Sequence, residues 1–204
     1  MRLLKATILA GVFLLISGCG GSENQTAENP KTESGEKISI RFEGKEVSFE
    51  PSYARFATFK KGLILKDSDI QNKDERVESV VHRIYLANYD LQLTDPSKQD
   101  YRRISADGQY RVEIQIEAEK DAAENALLKA GEYRHKDEPF NRISWITISH
   151  FREGKDTNHI LAGKSATGTV KIFSVSDGEI TGEIDFSDLD GSVKGKFTAQ
   201  RLSK

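Results

Sequence analysis

Tyr110-Arg111-Val112-Glu113-Ile114-Gln115-Ile116-Glu117-Ala118 alternates apolar and polar side chains without an error. In an extended chain successive side chains point to opposite faces. The run therefore predicts a β-strand with one apolar face and one polar face. Working toward the C-terminus, Glu119 to Ala130 is rich in Ala, Glu, Lys and Leu. Ala122, Ala126, Leu127 and Ala130 share one side, and Gly131 is placed to cap it, so a short helix is predicted there. Ser144 to Phe151 reads as another strand. Thr167 to Val175, Glu179 to Phe186 and Ser192 to Leu202 read as a closing meander, with Asp177-Gly178 as a hairpin turn. Simple pairing across that turn sets Val175 beside Ile180 and Phe173 beside Gly182. Val170 and Ile172 then face the wrong way, which predicts a bulge between them and the turn. Gly182 and Gly195 fall in phase with apolar neighbours, where a missing side chain admits a bulky ring or a sharp bend.

Toward the N-terminus, Ile38, Ile40 and Phe42 alternate with polar residues, as do Val47 and Phe49. A two-residue Gly44-Lys45 turn would pair Phe42 with Val47 and Ile40 with Phe49, all on one face. Ala54 to Phe59 and Leu63 to Leu65 form a second apolar pair, joined across Lys60-Lys61-Gly62. Asp67 to Glu75 is polar and reads as a loop. Val77 to Leu93 mixes two periods: Val77, Val80, Val81 and Ile84 suit a helix, while Tyr89, Leu91 and Leu93 suit a strand. A strand from about Val80, bulged near Asn88 and ended by Asp95-Pro96, is the reading adopted. Tyr101-Arg102-Arg103 reads as a solvated loop. The sum is an all-β, mainly antiparallel domain over residues 38–204, a meander barrel or two-sheet sandwich of about eight strands with one short helix.

The first residues carry an address. Met1 to Lys5 bears two positive charges, and Ala6 to Ile16 is apolar apart from Thr7 and Gly11. This has the form of a secretory signal and is shorter than the roughly 20 residues of a spanning helix. Ile16-Ser17-Gly18-Cys19 follows, and it resembles the lipobox of bacterial lipoproteins. That resemblance implies a signal peptide over residues 1–18, cleavage before Cys19, and a diacylglyceryl group on its thiol. Cys19 is the single cysteine of the chain, so no internal disulfide can form. Gly20 and Gly21 follow in place of the aspartate that tends to retain enteric lipoproteins in the inner membrane. The resemblance thus implies an extracytoplasmic, lipid-anchored protein, in the outer membrane where the source has two. Residues 19–37 hold no large apolar side chain, and they read as a flexible tether. The stretches Gly168–Ile172, Asp177–Phe186 and Val193–Ala199 resemble the closing strands of barrel- or sandwich-type domains in exported bacterial lipoproteins of unknown role. That likeness implies nothing about a site.

Composition narrows the partners. The formal net charge is −2, and removal of Arg2 and Lys5 with the signal leaves 28 basic against 32 acidic side chains. Such a protein has no electrostatic reason to seek nucleic acid. Gly163-Lys164-Ser165 ends like a phosphate loop, but Asn158 stands where that motif needs glycine. Asp185, Asp188, Asp190 and Gly191 hint at calcium; Phe186 and Phe197 occupy the positions where the calcium loop needs its first and last carboxylates. Asp67, Asp69, Asn72 and Asp74 lack the glycine. His82, His135, His150 and His159 show no i,i+2 or i,i+4 pair. His150 shares a strand face with Ile146 and Ile148, which suits a partly buried histidine with its bonds satisfied. Tyr85, Tyr89 and Trp145 suit a core, or else a face that stacks a sugar.

No catalytic residue, metal site or cofactor is expected from these patterns. The expected function is a non-enzymatic binding or interaction module in the cell envelope, anchored through Cys19, with a protein or glycan partner. A lipocalin-like carrier of a small apolar ligand is the alternative, and a hydrolase built on scattered carboxylates or histidines stands third. The carrier requires an open apolar interior, whereas the interaction module requires a filled one.

Overall fold

The computed structural model describes residues 36–65 and 75–202. The signal segment, Cys19, the tether up to Gly35 and the Asp67–Asp74 part of the polar loop lie outside them. Among the described residues there are eleven strands and no helix. They are β1 Ile38–Phe42, β2 Lys45–Phe49, β3 Tyr53–Leu65, β4 Glu75–Ala87, β5 Tyr110–Glu117 and β6 Gly131–Arg134. β7 Arg142–Arg152, β8 Lys155–Leu161, β9 Thr167–Val175, β10 Glu179–Ser187 and β11 Gly191–Arg201 follow. They form one mixed sheet in the order β6-β9-β10-β11-β3-β4-β5-β7-β8, with the β1-β2 hairpin joined to β11. Every pairing is antiparallel except a two-residue parallel contact of β11 with β3, Gln200 to Arg55 and Arg201 to Phe56. The sheet does not close; β6 and β8 end its main path, and β2, paired only with β1, is a further edge.

The all-β, mainly antiparallel class stands, and several details differ from expectation. Eleven strands replace about eight. β6 and β8 carry too few apolar residues to announce themselves; in β8 only Leu161 is buried and Ile160 points to solvent.

Glu119–Ala130 is not a helix. It makes two isolated turns, closed by bonds from the Ala122 amide to the Glu119 carbonyl (3.3 Å) and from the Ala126 amide to the Ala123 carbonyl (2.8 Å). Asp121, at φ +62°, interrupts any helical run. Twelve residues are marginal as a helix without a packed face. Here the buried side chain is Leu128, while Leu127, the one large residue of the expected apolar face, is 40% exposed.

The first hairpin keeps its faces but slips by two residues. Ile40 pairs with Val47 and Ile38 with Phe49, around a Glu43-Gly44 turn. Both turn residues have positive φ, +48° and +74°, which is the type I′ geometry whose twist matches the strands. Lys60-Lys61-Gly62 is not a turn, because β3 runs unbroken and β4 pairs with all thirteen of its residues. At its other end β4 stops at Ala87, so Tyr89, Leu91 and Leu93 lie beyond the strand. The bulge expected in the closing meander is present. The β9–β10 register shifts at Thr181/Gly182, so that Ile172 rather than Phe173 faces Gly182. A side chain at Gly182 would come within 2.6 Å of the Phe197 ring, so the glycine makes room for that ring.

The inner face of the sheet is filled by one apolar cluster that draws on all eleven strands, including Ile40, Phe56, Ile84, Ile114, Ile148, Phe186 and Phe197. Burial of each such side chain contributes roughly 1.5–3 kcal/mol.

Candidate functional site

The outer face of β4, β5 and β7 is where residues of chemical interest gather. Strand alternation sends Arg111, Glu113, Gln115 and Glu117 of β5 there, beside Ser79, Arg83 and Tyr85 of β4. These polar side chains are not solvated. Arg83, Arg111 and Glu113 are each only 2% exposed, and Gln115 and Glu117 are buried with them. Part of the cover is the irregular segment 88–109. Its Tyr89, Leu91, Leu93 and Ile104 pack with Tyr85 and Ala87 in a second apolar cluster, flanked by Tyr53, Tyr101, Phe151 and Leu202. Tyr101 is therefore part of the cover rather than of a solvated loop, while Arg102 and Arg103 do face solvent. Tyr85 and Tyr89 are likewise packing residues.

Two polar groups form beneath this cover. In the first, Arg111 Nε lies 2.8 Å from Glu113 Oε1, an ion contact whose N–H is not aligned on the oxygen. Arg111 also donates to the Tyr89 hydroxyl (3.0 Å) and to Ser149 Oγ (2.9 Å). Its guanidinium stacks 4.4 Å from the Tyr101 ring centroid, and the Tyr101 hydroxyl donates to Glu113 Oε1 at 2.7 Å. Burial, with the Glu113 charge behind it, raises the Tyr101 hydroxyl above the ordinary tyrosine range, so it stays a donor.

In the second group Arg83 donates to the Pro96 carbonyl at 3.1 Å and to Gln115 Oε1, and it lies between the rings of Phe59 and Trp145. Trp145 thus serves as a cation–π partner. Gln115 donates in turn to Glu117, whose carboxylate also accepts from Ser79 (2.9 Å) and Ser144 (2.6 Å). Lys61 reaches the same Gln115 oxygen at 3.5 Å. Burial and the nearby Arg83 charge lower the Lys61 ammonium. Among the described residues, Arg83 makes no ion pair and its Nε has no partner. Two cations therefore converge on one neutral amide, with a single carboxylate behind it.

Beside this second group opens a cleft of about 810 Å³. Ala57, Phe59, Leu93 and Leu202 give it apolar walls, Pro96 and Ser97 a rim, and Asp95, Glu124 and Arg201 its charges. A volume of this size falls in the range of roughly 300–1,000 Å³ usual for small-molecule sites. The cleft joins β3, the 93–97 loop, the 119–130 turns and the end of β11, so no local sequence pattern announces it.

The histidines divide. His82 sits on the inner face with its Nδ1 2.9 Å from Thr58 Oγ1. Burial, then the Arg201 charge, lowers it to about 4, and it is neutral at neutral pH. His135 Nδ1 contacts the Ile143 carbonyl at 3.0 Å. His150 and His159, unpaired by spacing, meet across the β7–β8 hairpin with their Nε2 atoms 3.1 Å apart. The signal that could have found this pair is the Glu153-Gly154 turn, again with two positive φ values, which fixes the register of β8. Phe42 stacks on His150, and the Glu43 carboxylate lies 3.9 Å from His159. Among the described residues no three His, Cys, Asp or Glu side chains gather as a metal-binding group. Asp188 closes the β10–β11 turn by accepting from the Asp190 and Gly191 amides, and Gly163 turns the chain from β8 toward β9. No protein family, characterised protein or solved structure was found to match this chain.

Proposed function

We propose that this chain is a non-enzymatic binding module, held at the outside of a bacterial membrane by lipid on Cys19, with the cleft beside Arg83 as its binding site. The signal-like residues 1–18 and the lipobox resemblance support the anchor. The cleft supports the binding role, since it pairs an apolar wall with a few charged groups. It is the observation on which the reading rests. The apolar cluster that draws on all eleven strands supports an open barrel, curled around a packed interior. A packed interior favours recognition at the outer face over carriage of an apolar ligand inside. Membrane anchoring near a partner also raises its effective concentration without any new contact.

Two measurements test the reading. Cells expressing the chain should incorporate labelled fatty acid into it, and Cys19→Ser should abolish the label; a labelled Cys19→Ser protein contradicts the anchor. A photo-crosslinking residue at Ser97, on the cleft rim, should give an envelope adduct that is absent when the same residue replaces Ile160 on edge strand β8. Equal adducts from both positions contradict the assignment of the cleft.

A further inference from the structure

The charges around the cleft are unevenly matched. Of its two acidic lining residues, Asp95 is fully engaged. Its Oδ1 accepts from the Ser97 amide and hydroxyl at 3.0 and 2.6 Å, and Lys98 Nζ lies 3.1 Å from its Oδ2. Glu124 lies 4.0 Å from Lys60, which also bonds Glu78. The lining cation has no such partner. Among the described residues, Arg201 makes no ion pair, and its guanidinium has only a long 3.4 Å bond to the Asp177 carbonyl. Behind the Phe59 wall sits the buried Arg83, with an unbonded Nε and with Lys61 sharing its Gln115 acceptor.

A buried cation without a counter-charge is costly unless something compensates it. Its field is least screened toward an adjoining cleft with low-dielectric walls. The unmatched positive charge and the apolar walls Ala57, Phe59, Leu93 and Leu202 therefore select the same kind of ligand.

We propose that the cleft takes a small organic anion, a carboxylate or phosphate carried on an apolar body, with the anionic group at Arg201 and the apolar body along Phe59, Leu93 and Leu202. This deepens the binding role assigned to the cleft and rests on it. The planar guanidinium of Arg201 offers two parallel donors to either oxyanion. The volume suits a ligand of small-molecule size and not a bilayer surface.

The test is calorimetric titration of the purified full chain with 4-phenylbutyrate and, separately, with the uncharged 4-phenylbutanol. The carboxylate should bind the more tightly. Arg201→Gln should weaken it about tenfold or more, the scale of one charge-assisted pair, while leaving the alcohol unchanged. Arg201→Lys should restore part of the loss, and raised salt should weaken the carboxylate alone. Equal affinity for acid and alcohol, or indifference of the acid to Arg201→Gln, overturns the anionic ligand and leaves the cleft as an apolar site. Absence of binding by both probes overturns the ligand class and the cleft assignment together.

Discussion

The two faces of β5 are buried to the same degree by different means. On one, Val112, Ile114 and Ile116 join the cluster built by all the strands. On the other, Arg111, Glu113, Gln115 and Glu117 are covered in part by segment 88–109 and held by directed contacts. The apolar face derives its stability from area removed from water, which is tolerant of small shifts. The polar face derives it from geometry, because each group taken from water must find its partner again. The difference teaches that the inner face makes the sheet, whereas the outer face fixes where the covering loop lies and hence shapes the cleft.

The largest effect is expected on the apolar face. Phe186 is fully buried there, and Phe186→Ala should cost about 3–5 kcal/mol in denaturant unfolding. A loss below about 1 kcal/mol would mean that the inner face is not packed as described. On the polar face, Glu113→Ala leaves Arg111 without its close partner and should cost about 3 kcal/mol. The paired replacement Arg111→Met with Glu113→Leu should recover most of that, since a buried ion pair is weakly stabilising against an apolar isostere. A double variant as unstable as the single one would break the contrast between the faces.

A third effect is a pH dependence. His82 is lowered to about 4 in the fold against an ordinary 6.5, so between these values the unfolded chain binds the extra proton. Stability should be level above about pH 6.5 and fall as pH drops toward 4, by up to about 3 kcal/mol, and His82→Gln should flatten this slope. A slope unchanged in His82→Gln assigns it elsewhere. The smallest effect is expected at Phe173, the bulge residue, which is 53% exposed. Phe173→Ser should stay within about 0.5 kcal/mol of the parent chain.

Much of the sheet is legible in the sequence, because strand period is a local signal. β5, β7 and the three-strand meander with its bulge follow from alternation and turn residues. The fate of the polar half of β5 does not. Arginine, glutamate and glutamine in alternation read only as a polar face, and the fold of segment 88–109 shows that it is covered. Tyr89, Leu91 and Leu93 carry the period of a strand, but Gln92 at φ +48° turns them into a cover. The 119–130 turns fail as a helix for a related reason, since propensity is weak beside the packing of Leu128. The cleft arises from segments distant in sequence, which no local pattern encodes, and the His150–His159 pair depends on a hairpin register that only the Glu153-Gly154 turn signals.

The buried carboxylates offer the most direct test. Carbodiimide labelling of the native protein, read by mass spectrometry, should leave Glu113 and Glu117 unmodified while Glu46 and Glu78, on exposed positions, react. Modification of Glu113 and Glu117 at the rate of Glu78 would show that the polar face of β5 lies open to water, and the cover, the network and the cleft built on it would go with it.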